Sequence, residues 1–97
     1  MIKRSLVIAA ALVFAAVGVA DAQNKKVRKR AKAHVDKGRK YQALGQYSKA
    51  LVEYKAAYKL IPHPELLYNF AQAYRLKGDR KQALAHYERY LNILPRG

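Results

Sequence analysis

Cysteine is absent from the 97 residues, and acidic residues are scarce. Without cysteine the chain can form no disulfide, carry no lipid attached through cysteine and use no thiol as a nucleophile. Six acidic residues stand against 20 lysines and arginines, which gives a formal net charge of +14. So strong a positive charge favours an anionic partner or surface, but it says nothing about the fold.

Groups of residues that could perform catalysis are also missing. The three histidines, His34, His63 and His86, lie in different segments and have no paired spacing of metal ligands. Acidic residues form no evident pair, and no glycine-rich loop could cradle a phosphate. Ser48 stands near the start of a predicted helix, where a capping role is expected. We therefore expect a protein that is not an enzyme, with no catalytic residue, no metal site and no cofactor.

The N-terminal segment resembles a secretory signal. Lys3 and Arg4 precede an unbroken run of apolar or small residues, 6–20, and an Ala-x-Ala site ends at Ala22. This order predicts a signal peptide, residues 1–22, and an exported protein in the bacterial periplasm. Export disfavours nucleic acid as a partner. The alternative is an inner-membrane anchor formed by residues 6–20, although this run is shorter than the roughly 20 residues that span a bilayer.

A basic N-terminal arm, residues 23–30, follows the predicted signal. Positive charge near the start of a helix opposes the helix dipole by about 0.3–1 kcal/mol per charge, so we expect these turns to fray without an anion. The arm is a candidate site for anionic lipid or envelope polymer, and a solvated tail is the alternative. The candidate residues are Lys25, Lys26, Arg28, Lys29 and Arg30.

Proline and glycine divide the rest of the chain into four helical segments. The residues that end or separate helices are Gly45, Pro62, Pro64, Gly78 and Pro95. The predicted helices extend from about 27 to 44, from 48 to 60, from 64 to just before 78, and from an N-cap at 79 to just before 95. The connections are short, so consecutive helices should pack antiparallel in an all-α fold.

The chain repeats itself when Gly45 is aligned with Gly78, an alignment that we call the repeat register. In this alignment small residues match small residues, at positions where helices must approach closely. Tyrosines match tyrosines, at positions where a large side chain must fill the space between helices. The other matching pairs are Gly38 with Ala71, Tyr41 with Tyr74, Ala50 with Ala83, Leu51 with Leu84, Tyr54 with Tyr87, and Pro62 with Pro95.

This pattern resembles the tetratricopeptide repeat, a helix-turn-helix unit. The second unit, residues 64–97, follows the family pattern closely, whereas in the first unit, residues 31–63, His34 and Lys37 replace two large apolar residues. The resemblance implies a short α-solenoid of two units. It also implies a non-catalytic module of the cell envelope that binds another protein or a peptide, with binding of anionic lipid or polymer by the arm as the alternative function.

The resemblance further implies a concave groove lined by the first helix of each unit. Asn69 stands where some family members bind a peptide carboxylate, but Val35 and Arg39 depart from that pattern, so we do not infer a carboxylate clamp. The groove candidates are Lys32, Val35, Asp36, Arg39, Gln42, Glu65, Tyr68, Asn69, Gln72 and Arg75.

The last helix carries an apolar stripe that no following helix covers. Two repeats are fewer than the three that usually make a stable stack. We therefore expect self-association through the fourth helix, docking of this helix on a partner, or a place in a longer array. The stripe consists of Leu84, Tyr87, Leu91 and Leu94.

Overall fold

The computed structural model describes the backbone of residues 2–94 and the side chains of residues 20–94. All regular elements of these residues are helices: α1 (Ile2–Ala43), α2 (Tyr47–Leu60), α3 (Pro64–Lys77) and α4 (Arg80–Ile93). α1 packs on α2, α2 on α3, and α3 on α4. The predicted all-α fold of four helices packed in repeat-like pairs is confirmed.

Helix boundaries agree with the sequence analysis except at α1. The predicted start near Val27 is wrong, because α1 begins at Ile2. The arm, residues 23–30, is therefore inside a helix, and the argument for fraying does not apply away from a helix end. Ser48 is not a cap, because α2 begins at Tyr47 after Gln46. None of the helices, over the residues searched, is long and apolar enough to cross a membrane.

The two turns inside the repeat units have the same hydrogen-bond geometry. Gly45 and Gly78 adopt positive φ angles of 76° and 95°, a conformation that glycine adopts without strain. In each turn the residue after the glycine donates its backbone N–H to the carbonyl five residues earlier, as in a Schellman motif. These bonds join Gln46 to Tyr41 at 2.8 Å and Asp79 to Tyr74 at 2.9 Å. The repeat register thus aligns equivalent structures as well as similar residues.

Side chains cap the last two helices. The Nδ1 atom of His63 accepts a hydrogen bond of 3.2 Å from the backbone N–H of Glu65, and Pro64 occupies the first helical position. At α4 the carboxylate of Asp79 accepts from the backbone N–H of Gln82 at 3.2 Å, which confirms the predicted N-cap. Both bonds satisfy amide groups that have no partner within the helix.

The core lies mainly between α2 and α3. Phe70 of α3 contacts two tyrosine rings of α2 edge-on, with centroid distances of 6.3 Å to Tyr54 and 5.8 Å to Tyr58. The small residues at the repeat positions are buried as predicted: Gly38, Ala50, Ala71 and Ala83. Together with Ala50, Tyr54 and Phe70, the central cluster consists of Leu51, Ala57, Leu66, Leu67 and Ala73.

Candidate functional site

A cleft of about 330 Å³ lies between α1 and the start of α3. The α1 side contributes side chains spaced three and four positions apart, which places them on one helical face. The α3 side contributes the N-cap residue and the first two turns. The cleft is lined by Arg28, Ala31, Lys32, Val35, Arg39, Ile61, His63, Glu65, Leu66 and Asn69.

The cleft combines an apolar floor with a basic rim. Ala31 and Leu66 are almost fully buried at its base. Arg28, Lys32 and Arg39 are exposed on its α1 side. Such a surface attracts an anionic group while it covers an apolar side chain.

The three cations of the rim are free to act on a ligand. The ion pairs among the described side chains both involve Glu53, which lies elsewhere on α2. The only carboxylate among the lining residues is that of Glu65, beside the backbone N–H groups at the start of α3. The rim therefore has a surplus of positive charge.

Five of the ten groove candidates line this cleft. They are Lys32, Val35, Arg39, Glu65 and Asn69. The structure thus brings together candidates from both repeat units, as the groove prediction requires.

The other five candidates lie outside the cleft. Gln42 accepts a hydrogen bond of 2.8 Å from the hydroxyl of Tyr54. Gln72 donates to the hydroxyl of Tyr68 at 3.0 Å. Asp36 and Arg75 are exposed and do not line the cleft.

Tyr68 takes part in an aromatic cluster between α3 and α4. Its ring centroid lies 5.8 Å from that of Tyr87 and 5.5 Å from that of Tyr90. Tyr68 therefore packs α3 against α4, away from the cleft.

All five candidates for an anionic surface are exposed on α1. Of these, Arg28 also lines the cleft, and it lines a neighbouring hollow of about 520 Å³ with Asp21, Val27 and Leu60. The remaining four lie on the outer surface of the helix: Lys25, Lys26, Lys29 and Arg30.

Sequence reasoning missed a polar cluster between α1 and α2. Nδ1 of His34 lies 2.7 Å from Oε2 of Glu53, and Nζ of Lys37 lies 3.9 Å from Oε1 of the same carboxylate. His34 and Lys37 replace two apolar residues of the repeat pattern. Glu53 compensates for this replacement because it gives both of them an anionic partner.

Tyr54 connects the buried core to the groove candidates. Its side chain is 1% exposed, and burial raises the pKa of its hydroxyl, while the nearby charge of Arg39 lowers it in part. The hydroxyl donates to Gln42 instead of remaining unpaired in the core.

The chain is similar to a known protein family. A model of the family named bacterial transcriptional activator domain matches residues 11–97, which is most of the chain. A comparison with curated proteins gives no match.

This match corrects the predicted identity and location. The prediction of an exported tetratricopeptide repeat protein is wrong, because the family is a domain of transcriptional activators, which act where the bacterial chromosome lies. The predicted periplasmic location and the alternative inner-membrane anchor, residues 6–20, are wrong for the same reason. Residues 11–22 belong to the matched segment, so the match gives the predicted leader no support. The boundary after Ala22 itself stays a prediction, which N-terminal sequencing tests.

The predicted envelope function is corrected in the same way. An envelope scaffold is wrong, and so is its alternative, a basic arm that binds anionic lipid or envelope polymer. The argument against nucleic acid rested on export and is no longer valid. The predictions of a non-enzymatic domain and of a protein partner agree with the family.

Proposed function

The chain belongs to the bacterial transcriptional activator domain family, and from this premise we propose that its basic cleft binds an acidic segment of another protein. In this proposal the domain is the part of a transcriptional regulator that makes protein contacts. The cleft between α1 and α3 receives the segment, and the cations of the rim contact its carboxylates.

One observation supports this proposal above the others. Arg28, Lys32 and Arg39 stand together above an apolar floor and make no ion pair among the described side chains. Hydrogen bonds between such cations and carboxylates are stronger than those between neutral groups. The floor of Ala31 and Leu66 offers contact to one apolar side chain of the same segment.

The test uses the full chain and a fluorescein-labelled peptide of alternating glutamate and leucine. Fluorescence anisotropy should show saturable binding that Lys32→Glu and Arg39→Glu each weaken about tenfold, which corresponds to about 1.4 kcal/mol. The matched control is Lys55→Glu, the same change of charge at an exposed site of α2 outside the cleft.

Two results would contradict the proposal that the peptide binds in the cleft. If Lys55→Glu weakens binding as much as Lys32→Glu, only the net charge of the chain matters. If a peptide with serine in place of every leucine binds equally well, the apolar floor has no part in recognition.

A second candidate function is contact with the phosphate backbone of DNA. Lys25, Lys26, Lys29 and Arg30 are exposed on α1 outside the cleft. A cluster of cations along one helix is the usual electrostatic feature of a surface that binds nucleic acid. The family context of a transcriptional activator makes DNA an accessible partner.

Charge reversal outside the cleft separates the two functions. Binding to a duplex of random sequence should decrease linearly on a logarithmic salt scale, with a slope of about −0.9 for each phosphate contacted. A Lys25→Glu, Lys26→Glu, Lys29→Glu variant should lose binding to this duplex and keep binding to the peptide. Loss of both activities together would mean that one surface serves both ligands.

A further inference from the structure

The repeat identifies a surface of α4 whose equivalent on α2 is covered. In the repeat register, Leu51 and Tyr58 of α2 correspond to Leu84 and Leu91 of α4. Leu51 is 5% exposed, and Tyr58 packs against the core. Leu84 and Leu91 are 59% and 61% exposed.

Helix α3 is the element that covers the surface of α2. Phe70 of α3 lies edge-on against Tyr54 and Tyr58, and α2 packs on α3. Tyr87 and Leu91 are the equivalents of these two tyrosines on α4. A helix that resembles α3 therefore has the right shape for the exposed surface of α4, which extends the α2–α3 interface by one repeat.

The charges around this surface decide what kind of helix fits. Arg80 and Lys81 lie one turn before Leu84, and Glu88 is the acidic residue that follows it on the same side. The chain as a whole has a formal net charge of +14. A second copy of the chain would be repelled, whereas an acidic helix would be attracted.

We propose that the apolar face of α4, formed by the exposed Leu84 and Leu91, the half-buried Tyr87 and the C-cap residue Leu94, docks an acidic amphipathic helix of a partner protein. The partner helix lies in the place that α3 occupies on α2. It presents an aromatic side chain at the position of Phe70, against Tyr87 and Leu91. This surface is separate from the basic cleft, so the proposal does not depend on the cleft.

The probe for this proposal is a modified copy of α3. It is a peptide of residues 64–77 with Arg75→Glu and Lys77→Glu, held helical by a lactam bridge on its polar side. The control peptide carries Leu67→Ser and Phe70→Ser as well, which removes the apolar face and keeps the charge. Titration of the isotope-labelled full chain is followed by backbone amide NMR.

The expected result is saturable shifts confined to α4 with the probe and none with the control peptide. Leu91→Lys should weaken binding about tenfold or more. The matched control is Val52→Lys, because Val52 is 64% exposed on the outer side of α2 and should leave binding unchanged. A circular dichroism spectrum confirms that each variant is folded, and Leu84→Gln provides a second variant if Leu91→Lys unfolds.

Three results would overturn the proposal. The first is an absence of shifts on α4 with the probe. The second is equal weakening by Leu91→Lys and Val52→Lys, which would mean that added charge alone acts. The third is a dimer in sedimentation equilibrium that Leu91→Lys dissociates, because the occupant of α4 would then be a second copy of the chain.

Discussion

The aromatic ring of Tyr54 fills the space into which a side chain at Gly38 would extend. A Cβ atom on Gly38 would lie 2.5 Å from Cε1 and 2.7 Å from Cδ1 of this ring. Tyr54 cannot move away easily, because it is 1% exposed and its hydroxyl is bonded to Gln42. Here α1 and α2 approach each other so closely that only glycine fits.

We predict that Gly38→Ala destabilises the protein. In an exposed helix the same change stabilises by about 0.5–1 kcal/mol, because alanine loses less backbone entropy. Overpacking at the Tyr54 ring should reverse the sign and reduce the free energy of unfolding by about 1–3 kcal/mol. Urea-induced unfolding measures this difference.

A double-mutant cycle tests the cause of this loss. In a Tyr54→Leu background the ring is gone, so Gly38→Ala should cost less or even stabilise. If Gly38→Ala costs the same in both backgrounds, the contact with Tyr54 is not the reason for glycine at this position.

The buried hydroxyl of Tyr54 predicts a loss of stability in alkaline solution. Burial raises the pKa of this hydroxyl above its usual value of 10.0. The unfolded chain therefore loses the proton at lower pH than the folded chain. The stabilising contribution is complete below pH 10.0 and is lost as the pH rises through the higher pKa of the folded state.

The variant Tyr54→Phe isolates this effect from the titration of the many lysines. The difference in unfolding free energy between the native chain and Tyr54→Phe should be constant below about pH 9 and decrease above about pH 10. Tyr47→Phe, at the start of α2, is the matched removal of a hydroxyl from a less buried side chain. A difference that does not change with pH would show that the hydroxyl is not buried enough to resist ionisation.

The positions of α2, α3 and α4 could be predicted because local chemistry determines them. Gly45, Pro62 and Gly78 end or separate helices for steric reasons that depend on few neighbours. The start of α1 could not be predicted in this way, because no glycine or proline between Gly18 and Gly38 marks a helix boundary. The envelope location depended on the repeat and on the Ala-x-Ala site, and the family match to residues 11–97 overturned it.

The candidate cleft was predicted in part. The family resemblance named Lys32, Val35 and Arg39, which line the cleft on its α1 side, but it could not show that Tyr68 contacts α4. The role of Glu53 depends on a contact between helices, which no spacing within one helix reveals. Comparison of Glu53 with its equivalent in the second unit, His86, would have identified this position as unusual.

The polar cluster at Glu53 predicts a specific pattern of stability. Glu53→Ala removes the anionic partner of His34 and Lys37 at a half-buried site. We expect a loss of about 0.5–1.5 kcal/mol, the usual net value of a hydrogen bond, because the side chains of His34 and Lys37 are 36% and 62% exposed and water replaces part of the lost contact. Thermal and urea unfolding measure the loss.

The second repeat unit has two apolar residues and a histidine at the positions of this cluster. In the repeat register, His34, Lys37 and Glu53 correspond to Leu67, Phe70 and His86. The rings of Phe70 and His86 lie 5.4 Å apart in the structure. A variant with His34→Leu, Lys37→Phe and Glu53→His should recover part of the stability that Glu53→Ala loses, but not all of it, because the side chain at position 37 is 62% exposed whereas Phe70 is buried.

The single changes serve as controls for this variant. His34→Leu alone should destabilise, because Lys37 and Glu53 then lose part of their network. If the triple variant is less stable than each single variant, the side chains of the second unit cannot replace the polar cluster at this place in the first unit.

The N-caps of α2 and α4 differ in a way that the repeat makes testable. Gln46 and Asp79 are equivalent, with φ and ψ angles of −94° and 69° against −88° and 81°. The side chain of Asp79 caps its helix, whereas that of Gln46 makes no capping bond. Gln46→Asp should therefore bond the backbone N–H of Lys49, the equivalent of Gln82, and raise the free energy of unfolding by about 0.5–1 kcal/mol.

The reverse change completes this test. Asp79→Ala should lower the free energy of unfolding by about 1 kcal/mol, because the N–H of Gln82 loses its acceptor. Gln46→Asn is the control for charge, since asparagine caps a helix as well as aspartate does but adds no negative charge near the helix dipole. Similar gains from Gln46→Asp and Gln46→Asn would assign the effect to the hydrogen bond. A gain from Gln46→Asp alone would assign it to charge in this strongly basic chain, and no gain from either would show that the start of α2 cannot adopt the capped geometry of α4.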